Sequence, residues 1–181
     1  MKSIFLTLFV LVLVAPGWTN ERVASTPLQR AAIAGDVEAA QAVLADSNLE
    51  ARNNEGRTAL LLAATTGNLK MLQLLVEAGA DRDAVDHHGL SALHLAASNR
   101  HTPACRYLLE QGANPNLPEK AGNTPLHLAA RAGNEETVKE LLLGGAKPAL
   151  ENERKQTAMQ LAQHYRLGDW RLVERLLEDA K

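Results

Sequence analysis

The chain alternates short apolar segments with polar stretches, and the apolar segments recur at a constant spacing. Segments that open on Thr or Ser fall 33 residues apart, at Thr58-Ala59-Leu60, Ser91-Ala92-Leu93, Thr124-Pro125-Leu126 and Thr157-Ala158-Met159. Paired alanines follow the first three, at Ala63-Ala64, Ala96-Ala97 and Ala129-Ala130. A weaker copy begins at Thr26. Because a hydroxyl side chain before an apolar run is typical of a helix N-terminus, each copy predicts the start of a short helix.

A second apolar stretch in the central units predicts a second helix. It contains a leucine pair, at Leu74-Leu75, Leu108-Leu109 and Leu141-Leu142. It ends on Gly and Ala, at Gly79-Ala80, Gly112-Ala113 and Gly145-Ala146, and glycine tolerates the left-handed conformation that commonly ends a helix. Gly56, Gly89 and Gly122 mark tight turns in the connections, a structural role. No such unit can bury its apolar face alone, so the units must stack.

The stretch GNTPLHLAARAGNEETVKELLLGGA, from Gly122 to Ala146, resembles the ankyrin repeat. The resemblance extends over residues 26–181 and implies an all-α fold. That fold is an ankyrin-repeat α-solenoid of about five stacked helix–turn–helix units with projecting β-hairpin loops. We expect the repeats near 26–57, 58–90, 91–123, 124–156 and, as a divergent C-terminal cap, 157–181.

Several positions depart from the repeat pattern. Arg100 replaces the glycine between the two helices of repeat three, and Lys155 occupies the hairpin glycine position of repeat five. Two extra residues lengthen the region from Arg166 to Trp170. Terminal repeats are expected to differ from central ones because each exposes one face to water. The extra residues are therefore either part of a cap or part of a site.

The N-terminus has its own pattern. A single positive charge at Lys2 precedes an apolar run from Ile4 to Ala15, and Pro16-Gly17 follows. The run is about a dozen residues long, whereas a spanning helix needs about 20. We therefore predict a signal peptide over 1–17, cleavage before Trp18, a short leader over 18–25 and an exported protein. The segment favours a bacterial periplasm, although a eukaryotic secretory route fits it too.

Composition narrows the possible partners. The sequence has 19 Lys and Arg against 21 Asp and Glu, a net charge of −2, so we expect no partner among nucleic acids and no membrane association after cleavage. Aromatic residues make up only 3%, and the abundance of Leu and Ala suits helix packing. The single Cys105 lies among apolar residues of a predicted helix, which indicates a buried small side chain rather than a redox group.

Two histidines repeat with the pattern, His94 and His127, each within LHLAA. They could be metal ligands, but the equivalent positions hold Leu61 and Gln160, so no chemistry can require a histidine in every repeat. The resemblance implies a structural role in which the ring bonds backbone groups of neighbouring hairpins. We therefore expect no metal site and no cofactor.

No catalytic motif is evident in the sequence, which has neither a phosphate-binding glycine loop after a strand nor a nucleophilic serine elbow. We expect a protein that is not an enzyme. The alternative is a small hydrolase in the divergent last repeat that uses His164 with Glu153 or Asp169.

The resemblance implies that a partner protein binds the hairpin tips and the concave face of the inner helices. The positions concerned are the two residues before the hairpin glycine, the one after it and the two after the paired alanines. They are Asn54, Glu55, Arg57, Thr65, Thr66, His87, His88, Leu90, Ser98, Asn99, Lys120, Ala121, Asn123, Arg131, Ala132, Glu153, Arg154, Gln156, His164 and Tyr165. Binding hot spots favour Tyr, Trp and Arg, so Tyr165, Arg131 and Arg57 are the first candidates, while Trp170 is expected in the core.

The predicted function is an exported, non-enzymatic protein-binding module that is monomeric when unbound. Two narrower hypotheses remain open. The protein is an immunity-type inhibitor of a toxic enzyme in the same compartment, or it supports an envelope enzyme, for instance one of oxidative defence.

Overall fold

The computed structural model describes residues 25–180, so the predicted signal peptide and nearly all of the leader lie outside the described residues. This part of the chain contains ten α-helices in five consecutive pairs. They are α1 Pro27–Ala34, α2 Val37–Leu44, α3 Ala59–Thr66, α4 Leu69–Glu77, α5 Ala92–Ser98, α6 Thr102–Glu110, α7 Pro125–Ala132, α8 Glu135–Leu143, α9 Ala158–Tyr165 and α10 Trp170–Asp179. The predicted all-α repeat solenoid is confirmed.

Local side-chain chemistry sets where these helices begin and end. The Thr58 side chain accepts a hydrogen bond from the Leu61 backbone N–H and so caps α3, and Asn68 caps α4 in the same way. Between the helices of a pair, the chain passes through the left-handed region, at φ 71° for Gly67 and φ 64° for Arg100. Repeat three therefore makes the same turn as the others, but with an arginine that bears the steric strain of its Cβ.

The helices form two rows. The first helices of the pairs, α1, α3, α5, α7 and α9, pack against one another in order, and the second helices form a parallel row behind them. The paired alanines lie at the centre, with Ala63, Ala96 and Ala129 fully buried. Small side chains at these positions let neighbouring helices approach closely. The core is thus one continuous strip, which no single repeat could bury alone.

The connections project from the first-helix row as hairpin-like turns. Each closes on a short backbone pairing, such as the Asn53 N–H donating to the Arg57 carbonyl at 3.0 Å. Among the described residues only an isolated antiparallel bridge between Val85 and Ser91 has sheet geometry. The loops predicted as β-hairpins therefore contain no regular strand in this part of the chain. Successive loops are joined, since the His87 N–H donates to the Glu55 carbonyl at 3.1 Å.

The two extra residues of the last repeat fold back onto the preceding repeat. The Asp169 N–H donates to the Gly133 carbonyl at 3.2 Å, and a Cβ built on Gly133 would overlap the Leu167 carbonyl oxygen. Gly133 and Gly168 therefore allow backbone to lie directly on backbone at this point. We call residues 166–169 the insertion loop. It covers the turn between α7 and α8, and its Leu167 side chain remains exposed.

Candidate protein-binding groove

The two repeated histidines hold successive repeats together. His94 Nε2 bonds the Asn123 carbonyl at 3.0 Å, so it must donate, and Nδ1 is left to accept from the Ser91 N–H at 3.2 Å. His127 bonds Thr124 and the Gln156 carbonyl in the same way, with Nε2 to oxygen at 3.0 Å. Burial lowers the pKa of both rings. Each histidine is therefore a neutral structural link.

A glutamine performs the same task in repeat one. Gln29 Nε2 donates to the Ala51 carbonyl at 2.7 Å, while its Oε1 accepts from the Thr26 N–H at 2.9 Å. Gln160 accepts from the Thr157 N–H at 2.8 Å in repeat five. An amide can thus replace the imidazole here, because both offer one donor and one acceptor at similar reach. These histidines are not a reactive pair.

A second set of structural residues was not singled out from the sequence. Each hairpin begins with a side chain whose oxygens accept the backbone N–H groups two and four residues later. The set is Asn53, Asp86, Glu119 and Asn152. Their spacing of 33 residues was the available signal. No buried side-chain nitrogen or oxygen in residues 25–180 lacks a hydrogen-bond partner.

Several predicted binding residues already form hydrogen bonds or ion pairs with other residues of the fold. Arg57 Nε donates to the buried Asp86 carboxylate at 3.2 Å, and its guanidinium also meets Glu55 at 3.1 Å. Thr65, Thr66 and Ser98 donate their hydroxyls to carbonyls of their own helices, and Asn99 donates to the Thr65 carbonyl. Arg57 is therefore better placed to hold neighbouring hairpins together than to bind a partner.

Six other predicted residues occupy the hairpin tips, namely Asn54, Glu55, His87, His88, Leu90 and Lys120. The His87 ring lies over Gly56, and Leu90 is half-buried against the core. All six except Leu90 are exposed. None of these residues lines a cavity described below, so the structure does not gather them into a site.

A groove lies where the first helices of repeats four and five meet the hairpins. It consists of two adjoining cavities of about 370 and 320 Å³, which share Arg131 of α7 and Tyr165 of α9. The larger, the polar compartment, is also lined by Asn123, Glu153, Arg154 and Gln156. The smaller, the apolar compartment, is also lined by Ser98, Leu128, Ala132 and Leu167. We call the two together the groove.

Most groove side chains have unused bonding capacity. Arg131 and Arg154 are exposed, and neither guanidinium forms an ion pair or hydrogen bond with any described residue. The Gln156 amide is likewise uncommitted, while Asn123 is held by Glu119 and Asn152. Tyr165 is 45% exposed. The groove thus combines an exposed Tyr and two free Arg side chains, residue types that interface hot spots favour, with a free amide.

The last repeat contains two further sequence candidates that behave differently. The His164 ring packs edge-on against Tyr165 at 5.0 Å, and no hydrogen bond or ion pair links it to Glu153 or Asp169. Neither carboxylate therefore orients the His164 ring in this structure. Trp170 was expected in the core, but it is only half-buried, with the Arg166 and Arg171 guanidinium groups 5.2 and 5.3 Å from its ring centroid.

The remaining chemical groups have ordinary structural environments. Cys105 is fully buried, as predicted, and burial raises the pKa of its thiol to about 12. Residues 25–180 contain no cluster of three His, Cys, Asp or Glu side chains that could hold a metal ion. Over the same range no helix is both long and apolar enough to cross a membrane.

Comparison with known proteins identifies the family. The protein-family model described as "Ankyrin repeats (3 copies)" matches residues 5–86 and 78–152, which together are well over half of the chain. A search of curated proteins found no match. Ankyrin repeats are generally protein–protein interaction modules and are typically not enzymes. The repeated helix pairs and this match show that the chain belongs to the ankyrin repeat family.

Proposed function

We propose that this chain is an exported, non-enzymatic module that binds another protein in the groove. The observation that carries the proposal is the contrast within the predicted binding set. Candidates nearer the N-terminus, such as Arg57 and Thr65, use their side-chain polar groups in bonds within the fold, whereas the side chains of Arg131, Arg154 and Gln156 do not. Free donors beside an exposed aromatic favour this end of the stack as the site.

Export is proposed from the N-terminal sequence pattern. The charge at Lys2, the apolar run from Ile4 to Ala15 and the following Pro16-Gly17 are the features of a signal peptide. The test is to express the full chain in a Gram-negative host, fractionate the cells and sequence the N-terminus of the recovered protein. A periplasmic protein that begins at Trp18 would support export and the cleavage site, and an uncleaved cytoplasmic protein would contradict both.

Binding is tested by affinity capture from a cell-envelope extract. The bait is the purified protein, compared with an Arg131→Ala/Tyr165→Ala variant. A matched control, Lys70→Ala/Ile33→Ala, removes a similar charge and a similar exposed apolar surface from α4 and α1. We expect a protein retained by the wild type and the control and lost with the groove variant. Retention that is equal on all three would contradict the assignment of the groove.

The narrower hypotheses are distinguished by the partner's own activity. If the captured protein is an enzyme, its turnover is measured with increasing amounts of the binder. Inhibition would favour the immunity-type role, and activity that is preserved on heating or oxidation would favour the supporting role. The hydrolase alternative predicts turnover of simple esters or peptides that is lost in His164→Ala, whereas a binding module predicts none.

A further inference from the structure

The two compartments of the groove differ in chemistry, and this difference restricts what can bind there. The apolar compartment is formed mainly by Leu128, Ala132 and Leu167, whose hydrocarbon surfaces suit an apolar side chain. The polar compartment offers the free guanidinium groups of Arg131 and Arg154 and the free amide of Gln156. Only one wall, Arg131 with Tyr165, is common to both, so the two kinds of group must bind side by side.

The charge of the groove is opposite to that of the protein. Its lining contains two arginines and one acid, Glu153, so its formal charge is +1, whereas the whole chain carries −2. Neither arginine is within ion-pair distance of Glu153. The guanidinium groups therefore remain available, and a guanidinium is suited to bind a carboxylate through two parallel hydrogen bonds.

The exposed apolar surface is concentrated at the same end of the molecule. Three of the five exposed large apolar side chains in residues 25–180, Tyr165, Leu167 and Leu172, lie within the last repeat, and the other two are Ile33 of α1 and Leu143 of α8. Tyr165 and Leu167 line the apolar compartment, and the insertion loop that carries Leu167 is held in place by Gly133. Exposed apolar groups held on a fixed backbone are typical of a docking surface rather than of a solvated cap.

We infer that the groove binds an extended segment of the partner protein in which an acidic side chain stands next to a large apolar one. The carboxylate lies between Arg131 and Arg154, and the apolar side chain enters the space beneath Leu167 and Tyr165. This inference rests on the proposed binding function, to which it adds the partner's chemistry. Opposite charge also speeds association, so binding weakens as salt rises.

The test is selection from a phage-displayed library of random linear peptides on the immobilised protein. Peptides in which Asp or Glu adjoins Leu, Ile, Met, Phe or Trp are expected to be enriched. The same library is then selected on an Arg131→Glu/Arg154→Glu variant, where Lys or Arg should replace the acid. Lys70→Glu, on the outer face of α4, is the matched charge control and should preserve the acidic preference.

One enriched peptide is then synthesised and titrated by fluorescence anisotropy. We expect at least about tenfold weaker binding to the Arg131→Gln/Arg154→Gln variant, and less than about twofold change for Lys70→Gln. Circular dichroism establishes that each variant is folded. Acidic peptides that bind both arginine variants as well as the wild type would overturn the inference.

Two other outcomes separate this inference from the proposed function. Peptides that depend on Tyr165 and Leu167 but carry no acidic residue would overturn the charge assignment and leave the groove as the binding site. Both the inference and the groove assignment fail if no peptide is enriched. They also fail if the enriched peptides bind the Tyr165→Ala and Leu167→Ala variants as tightly as the wild type.

Discussion

The stability of this protein should depend on pH through the two buried histidines. His94 and His127 each donate from Nε2 to a carbonyl and accept at Nδ1 from a backbone N–H, so the folded state requires neutral rings. Protonation at Nδ1 would place N–H against N–H in a buried site. Burial lowers the pKa of both rings from their ordinary value of about 6.5.

The magnitude follows from proton linkage. A group whose pKa is lower in the folded state contributes its full stability above the unfolded pKa, about 6.5, and that contribution is lost as pH falls towards the folded pKa. Each histidine can change the free energy of unfolding by at most about 1.36 kcal/mol per pH unit in that window. Two such residues therefore give a limiting slope of about 2.7 kcal/mol per pH unit.

The assay is urea unfolding between pH 5 and pH 8, followed by circular dichroism. The wild type is compared with a His94→Gln/His127→Gln variant, because Gln29 already makes the same kind of link in repeat one. Above pH 7 we expect the variant to lose no more than about 1 kcal/mol per site. Below pH 6.5 its stability should fall less steeply than that of the wild type.

The comparison cancels other titrating groups, since the remaining histidines and all carboxylates are common to both proteins. The difference between the two stability curves therefore reports His94 and His127 alone. Parallel curves from pH 8 to pH 5 would refute the reasoning, because they would mean that folding does not lower the pKa of either ring.

Four further predictions concern single positions. Gly112→Ala should lower the free energy of unfolding, measured in urea, by about 1 kcal/mol. A Cβ there would meet nothing within 4 Å, so the cost comes only from placing alanine at the left-handed φ of 83°. Gly133→Ala should cost at least about 2 kcal/mol more, since its Cβ overlaps the Leu167 carbonyl. Lys155→Gly should raise the melting temperature and add up to about 1 kcal/mol to the free energy of unfolding. Glycine adopts the φ of 59° at this exposed position without the steric strain of a Cβ. Cys105 should react with a thiol reagent only after urea unfolding, and rapid reaction of the native protein would contradict its burial.

The repeat period predicted the fold because every local signal recurs. A Thr or Ser cap, paired alanines and a closing glycine specify the same helix pair each time, and their agreement over several copies outweighs the ambiguity of any single copy. Arg100 and Lys155 illustrate the strength of that agreement. Both adopt the left-handed conformation of the glycines that they replace, at φ 64° and 59°, because the neighbouring repeats determine the turn.

The lining of the candidate groove was only partly predictable. Position within the repeat selected Arg131, Gln156 and Tyr165, which line the groove, and also Arg57, which pairs with the buried Asp86. Sequence spacing places equivalent residues on one face but does not show which of them are already bonded to the next repeat. That information resides in contacts between residues about 29 positions apart, such as the Arg57–Asp86 pair.

The insertion loop was the least predictable part. Its two extra residues were visible as a departure from the repeat, but the pattern could not distinguish a cap from a site. In the structure the loop packs on the preceding repeat through the Asp169 N–H and the Gly133 carbonyl, and its Leu167 lines the candidate groove. Trp170 was misplaced in the core for a related reason: once the loop turns back, the start of α10 lies at the surface, where two arginines flank the ring.

The most direct test of the groove is site-specific photocrosslinking in a cell-envelope extract. The crosslinking residue p-benzoylphenylalanine replaces Leu167 in the groove in one protein and Leu143 on α8 in another, which are 52% and 74% exposed. A partner that docks in the groove predicts one dominant crosslinked protein from position 167 and none from position 143. The same protein captured only from position 143, or none from position 167, would contradict the account.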